Sequence, residues 1–325
     1  MSTILLTHSP EALANYYGER ALTGLQALGK VVLNTGSQPL EGESLIRAAQ
    51  GCDLIVSYRQ SPAPAALFAR LPRLVAFLRC AIDIRNVDVP AASRAGVLVT
   101  QASAGFVTAV AELVLGLMID LSRGISSSAA VFHSRSSPKA RMGRELRGST
   151  LGVIGYGAIG KELVRLGRAF GMNVLVNDPY KKGIKNTKLQ TLLEKSDYVV
   201  PLAVATAETE NLIAEKEFKA MKKGAFFINA SRGNLVDEAA LVRALDAGHL
   251  GGCALDVGRA PDQMPMPAIA ARADVIATPH TAGLTRPAIE HQSMETVAQA
   301  AVVLKGRAPK GAVNAKHWTR RSLLR

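Results

Sequence analysis

Cysteine is scarce in this 325-residue chain: Cys52, Cys80 and Cys253 are its only three, and they form neither a metal-binding spacing nor a disulfide framework. They fit a reducing compartment, where cysteine behaves as a small hydrophobe, so a cytoplasmic location is expected. Long apolar runs are also missing. The longest stretch free of Asp, Glu, Lys and Arg, Ala95 to Ala111, contains Thr, Gln and Ser and falls short of the ~20 apolar residues that cross a bilayer. No membrane partner is expected. The amino terminus, Met1 to His8, lacks a basic leader and reads as a first strand rather than an export signal. Zinc-finger, RNP-like and helix-turn-helix motifs are absent, and no solenoid repeat is visible. Of the thirteen net positive charges, seven lie in residues 305–325 and five in residues 123–147, leaving one for the rest. The expected reading is a solvated tail and a charged loop, with no nucleic-acid partner.

What is present is enough for two domains on a prior of ~150 residues each, with 48% hydrophobic residues to fill their cores. Short apolar runs at Ile4–Leu6, Val31–Leu33, Leu54–Val56, Leu74–Leu78 and Val97–Val99 alternate with stretches of helical length. That alternation predicts βαβ units and a parallel sheet. The amphipathic segment Val107 to Ser122 and the basic stretch 124–148 break the rhythm before a second series of strands. Those are expected at Leu151–Ile154, Asn173–Asn177, Tyr198–Leu202, Ala225–Asn229, Gly252–Leu255 and Val275–Thr278. A last helix, Pro287 to Lys305, returns to the first domain.

The second series opens with Gly155-Tyr156-Gly157-Ala158-Ile159-Gly160 between a strand and a helix. The first glycine makes a tight turn, the second lets backbone approach a pyrophosphate, and the third permits close helix-to-strand packing, while the helix start attracts the anion. Asp178 ends the next strand, eighteen residues beyond Gly160. A carboxylate there accepts both ribose hydroxyls and repels a 2′-phosphate, so NAD is expected over NADP. Two further strand ends carry Ala230-Ser231-Arg232-Gly233 and Pro279-His280. In open parallel sheets ligands bind beyond the carboxyl ends of the strands. Arg232 offers a two-pronged donor for a carboxylate, and His280 can exchange a proton near neutral pH.

The run Met221 to Leu241, then Ala254-Leu-Asp-Val257, Pro279-His280, Val110-Ala-Glu-Leu113 and the glycine fingerprint together resemble the D-isomer-specific 2-hydroxyacid dehydrogenase family. The resemblance covers nearly the whole chain. It implies two doubly wound parallel-sheet α/β domains: a flavodoxin-like catalytic domain from residues 1–100 and 285–325, and an inserted Rossmann NAD-binding domain from residues 101–284. It also implies a cleft that closes on substrate, a homodimer, and hydride transfer between NAD(H) and a D-2-hydroxy acid or 2-keto acid. By motif, Arg232 anchors the substrate and His280 is the acid/base. Gly155 to Gly160, Asp178, Ala230, Ser231 and Asp256 fall on the cofactor side, and Arg59, Ile82 and Asp83 on the substrate side. No metal is implied.

Three departures stand out. The family's Glu partner of the histidine would fall at Ala260 or Pro261, and Asp262 is the nearest acid. The family's Gly-x-Gly-like substrate turn is replaced by Ala81-Ile82-Asp83, with Arg85 available to pair with Asp83. The proline after the third strand of the cofactor domain gives way to Ala203-Val204-Ala205. An imidazole without a carboxylate partner is expected to titrate near ~6.5, so keto-acid reduction is expected to weaken as pH rises through neutrality. The missing Glu also leaves open a second reading, an NAD(H)-binding regulatory protein with weak or no turnover.

Overall fold

Alternating apolar runs and helices form two parallel sheets, one in each of two compact units, Met1–Gly105 with Thr285–Arg325 and Phe106–Leu284. The computed structural model describes residues 1–260 and 263–324. In the first unit β1 (Thr3–Leu6), α1 (Pro10–Tyr16), α2 (Glu19–Gln26), β2 (Lys30–Leu33), α3 (Gly42–Ala48), β3 (Leu54–Ser57), α4 (Ala65–Arg70), β4 (Ala76–Arg79), α5 (Val89–Arg94) and β5 (Leu98–Gln101) follow in turn. The unit runs on to Gly105 rather than ending at 100, because Gln101 is still paired in β5.

The strand order is β2-β1-β3-β4-β5, so the direction of winding reverses between β1 and β3. Along each strand alternate side chains serve opposite faces. The row Leu5, Ile55, Phe77, Val99 packs beneath α3, α4 and α5. Ile4, Leu6, Leu54, Val56, Leu78 and Leu98 face α2 and the last helix. Sheets covered on both sides read as continuous apolar runs, which is why the strands were visible as such.

The second unit contains α6 (Val107–Arg123), α7 (Ile125–His133), β6 (Thr150–Ile154), α8 (Ala158–Ala169), β7 (Asn173–Asn177), α9 (Leu189–Lys195), β8 (Tyr198–Pro201), α10 (Glu215–Ala220), β9 (Phe226–Asn229), α11 (Glu238–Asp246), β10 (Gly252–Leu255), α12 (Pro267–Ala270) and β11 (Val275–Ala277). Its parallel sheet has the order β7-β6-β8-β9-β10-β11, reversing between β6 and β8. Leu151, Val153, Val200 and Ile228 meet α6 and α8 on one face. Val199, Phe227, Cys253 and Leu255 meet α9, α10 and α11 on the other. Helix α13 (Arg286–Val303), capped by the Thr285 hydroxyl, belongs to the first unit.

Two expectations are corrected. The basic segment is not a free tail over residues 305–324: its charged side chains are mostly exposed, but Asn314 bonds Val99 N and Val97 O, and Trp318, 4% exposed, donates its indole N–H to Val75 O at 3.1 Å. Arg320 caps the carbonyls of Leu71 and Leu74. The segment 123–147 is not wholly a loop either, since Ile125–His133 forms α7 after Gly124 turns the chain at φ +64°. Among the described residues no helix is long and apolar enough to cross a membrane, and no group of side chains could hold a metal ion.

Candidate active site

In the second unit the turn after β6 shows why each glycine is needed. Gly155 has φ +99°, and a Cβ there would lie 2.7 Å from Leu202 O and Ala203 N. A Cβ on Gly160 would lie 2.2 Å from Gly155 O, so only glycine lets α8 sit this close to the turn. At Gly157 the space around an added Cβ is empty to 4 Å. No side chain caps the start of α8, which leaves its first N–H groups facing that space. Asp178, just past β7, accepts Tyr156 N at 2.8 Å and Tyr180 N at 3.1 Å. These bonds aim a fixed carboxylate beside the glycine turn. An open glycine, uncapped amides and an oriented acid fit a dinucleotide.

Because the strands are parallel, residues 230–233, 256–258 and 278–281 leave the sheet at the same edge as the glycine turn. Asn229, fully buried, accepts Ser231 N at 3.0 Å and donates to Arg232 O at 2.9 Å, clamping the turn that carries Ala230, Ser231 and Arg232. Sequence inspection passed over Asn229; an Asn ending a buried strand was the available signal. Arg232 is partly buried, with Nη1 donating to Ser231 O at 2.7 Å. Gly233 lets the loop after β10 approach, since a Cβ there would meet the Gly258 carbonyl carbon at 2.2 Å.

His280 adopts φ +53°, a conformation that L-residues other than glycine reach at a cost. Its N–H donates to Asp256 O at 3.0 Å and Thr278 O at 2.9 Å. The Asp256 carboxylate is fully buried and accepts Thr278 Oγ1 at 2.6 Å, Thr281 N at 2.8 Å and Ala282 N at 3.0 Å. Asp256 therefore braces the histidine turn from both sides. The expected partner slot is split: Ala260 is described, whereas Pro261 and Asp262 lie outside the described residues.

In the first unit Arg59 follows β3 with its guanidinium over the Tyr16 ring, 5.7 Å from the centroid. Ile82 and Asp83 are partly buried in the loop after β4. Asp83 forms the anticipated pair with Arg85, at 2.6 Å, so that loop does not present a bare negative charge. The neighbouring Cys80 is buried, which pushes its thiol up to about 12 and removes it as a nucleophile. His8, just past β1, lies between the tilted rings of Tyr17 and Tyr58 with centroids 4.9 and 5.0 Å away. Among the described residues neither of its ring nitrogens has a hydrogen-bond partner. Burial first, and the Arg79 cation second, pull its pKa down to about 3.

The family model described as "D-isomer specific 2-hydroxyacid dehydrogenase, NAD binding domain" matches residues 115–282. The chain belongs to the D-isomer-specific 2-hydroxyacid dehydrogenase family. Within that family it is 33% identical to D-3-phosphoglycerate dehydrogenase of Archaeoglobus fulgidus over 93% of this chain, but spans only 58% of that relative's length. It is 35% identical to (S)-sulfolactate dehydrogenase of Chromohalobacter salexigens, covering 78% of this chain and 85% of the relative. The crystal structure of the TT0316 protein from Thermus thermophilus superposes with a TM-score of 0.84 at 28% identity, covering 96% and 99% of the two chains. The second unit of this 2-hydroxyacid dehydrogenase family member is thus its NAD-binding domain, and the glycine turn with Asp178 fits that cofactor.

Proposed function

We propose that the chain is an NAD-dependent oxidoreductase that interconverts a D-2-hydroxy acid and its 2-keto acid. The observation that carries this is the shared sheet edge: the glycine turn, the Asn229-clamped Arg232 and the Asp256-braced His280 all leave the second sheet at its carboxyl end. NAD, when bound, supplies or takes up the hydride. Arg232 holds the substrate carboxylate and polarises the adjacent carbonyl through its fork of donors. His280 gives a proton to the carbonyl oxygen in reduction and recovers it in oxidation. Asp178 selects NAD by accepting ribose hydroxyls, and Ala230, Ser231 and Asp256 complete the cofactor side. In the first unit, Arg59, Ile82 and Asp83 take part in substrate recognition. Arg59 favours a small 2-keto acid with a polar or acidic distal group, as do relatives named for a phosphoglycerate and a sulfolactate.

The enzyme is a cytoplasmic homodimer in this reading. Its three cysteines are all buried and free, which suits a reducing compartment. Helix α7 has no buried residue, and Ile125, Phe132 and Met142 are 56%, 62% and 95% exposed. A second copy of the chain covers such an apolar face, which light scattering of the purified protein tests. The function is tested by following NADH oxidation against glyoxylate, hydroxypyruvate, 3-phosphohydroxypyruvate and 3-sulfopyruvate below and above neutral pH. Turnover abolished by Arg232→Ala and by His280→Ala is the expected result. NADH binding with no turnover across the panel would instead mark a cofactor-sensing regulatory protein.

A further inference from the structure

Arg79, the last residue of β4, is 2% exposed, and its guanidinium reaches two separate loops at the carboxyl edge of the first sheet. On one side lies the loop after β3. There Nη1 donates to Ser57 Oγ at 3.0 Å, Tyr58 O at 2.7 Å and Ser61 O at 2.9 Å, and Nη2 donates to Arg59 O. On the other side lies the loop after β4, where Nη2 donates to Asn86 Oδ1 at 2.8 Å and Nε to Asp83 O at 3.2 Å. Asn86 closes the circuit, donating to the same Arg59 carbonyl at 3.4 Å. Every acceptor is a neutral oxygen. Among the described residues no carboxylate lies within ion-pair distance of Arg79.

Burial draws the Arg79 pKa down to about 10, which leaves it charged at neutral pH. The Asp83 carboxylate, not within ion-pair distance, offsets this burial only in part, and an apolar side chain would fill the same volume at less cost. What an apolar residue lacks is donors. A guanidinium offers five N–H groups in a planar fork, whereas an ammonium offers three from one point. The donors here are divided between the loop that carries Arg59 and the loop that carries Ile82 and Asp83.

We propose that Arg79 is a positioning residue for the 2-keto acid, locking these two loops into one arrangement so that the substrate groups of the first unit are preorganised. The inference rests on the reading given under Proposed function. All the hydrogen bonds of Arg79 go to protein oxygens, so it acts through the two loops. Its contribution is to the geometry of recognition, where a displacement of about 1 Å is costly.

Two variants test this. Arg79→Lys keeps the charge and loses the fork. Asn86→Ala removes one attachment from an exposed position and leaves the buried charge in place, which makes it the safer variant for folding. Steady-state kinetics with hydroxypyruvate and NADH should show the keto-acid KM raised about ten-fold in Arg79→Lys and about three-fold in Asn86→Ala. The NADH KM should be unchanged in both, and kcat should fall by less than about three-fold. Amide hydrogen exchange supplies a readout that needs no turnover: Asn86→Ala should speed exchange at residues 58–61, on the loop that does not carry the substitution, while β1 and β3 keep their protection. Wild-type exchange at 58–61 together with an unchanged keto-acid KM would overturn the proposal, and so would protection lost throughout the first sheet. A wild-type enzyme that binds NADH yet reduces none of the keto acids overturns the functional reading and the proposal together. Active wild type matched by both variants overturns the proposal alone.

Discussion

Replacing Gly157 by alanine separates binding from folding at the cofactor turn. An added Cβ at Gly157 meets nothing within 4 Å, and the residue has φ −72°, which alanine adopts without strain. The substitution should therefore change stability by less than about 1 kcal/mol. The same methyl occupies the space in which a pyrophosphate approaches the backbone, so NADH affinity should fall about 100-fold, or ~2.7 kcal/mol. Linkage converts this into a thermal readout. NADH at ~100 times its Kd stabilises the wild type by ~2.7 kcal/mol, a rise in Tm of about 4 °C at ~2.1 cal/mol/K of unfolding entropy per residue. The variant at the same NADH concentration sits near its own Kd and gains only ~0.4 kcal/mol, a rise of about 1 °C. Gly160→Ala is the contrasting control. Its Cβ would sit 2.2 Å from Gly155 O, backbone that cannot swing aside, so α8 must retreat by about 1 Å at a cost of ~1–3 kcal/mol without any ligand. Differential scanning fluorimetry with and without NADH reads both effects. A Gly157→Ala protein that keeps the full wild-type shift would refute the placement of the pyrophosphate at this turn.

The other predictions concern the supports of the two sheets. His8 is held neutral in the fold, its pKa pulled from 6.5 to about 3, while the unfolded chain takes up a proton near the ordinary value. Its contribution to stability is complete above ~6.5 and is lost as pH falls toward ~3, by up to ~1.4 kcal/mol per pH unit. Urea midpoints at neutral pH and at pH ~5 should diverge in the wild type and much less in His8→Phe; an equal acid slope in both proteins would rule His8 out as its source. Trp318→Ala should cost ~3–5 kcal/mol, since the ring is buried in the core beneath α2 and α13. Circular dichroism must follow it, because the chain's single tryptophan is the residue removed. A Tm equal to wild type would show that the 305–325 segment is dispensable. Asp256→Asn removes the charge and one of the two oxygens that accept Thr278 Oγ1, Thr281 N and Ala282 N. With the histidine turn relaxed, keto-acid turnover should fall about 100-fold while NADH still binds. Near-normal kcat would mean that the turn holds itself.

Both parallel sheets were legible in the sequence because their strands are covered on two faces and write continuous apolar runs, with helices of regular period between them. The cofactor turn was legible because glycine alone permits the φ of Gly155 and the backbone approach at Gly160, which forces a residue type at a fixed spacing. Helix α7 was hidden by its serines and by the absence of any buried face. The anchoring of the basic tail was hidden for another reason: the partners of Asn314, at Val97 and Val99, are more than two hundred residues away in the chain. The bracing contacts of Asn229, Asp256 and Arg79 span at most 26 residues, yet they escaped notice because they join loops that only the assembled sheets bring together.

The sequence by itself determined most of the strands and helices and where a tight glycine turn must form, because periodicity, glycine conformation and strand-end chemistry act within a few residues. Only the tertiary structure decided how the functional turns are held. It set Asp256 beneath the left-handed His280, divided the donors of one buried guanidinium between two loops, and buried Trp318 of the basic carboxyl-terminal segment in an apolar core. Those arrangements depend on which distant carbonyls and amides meet when the sheets assemble, and a buried polar group takes whatever partner that assembly brings within hydrogen-bond reach.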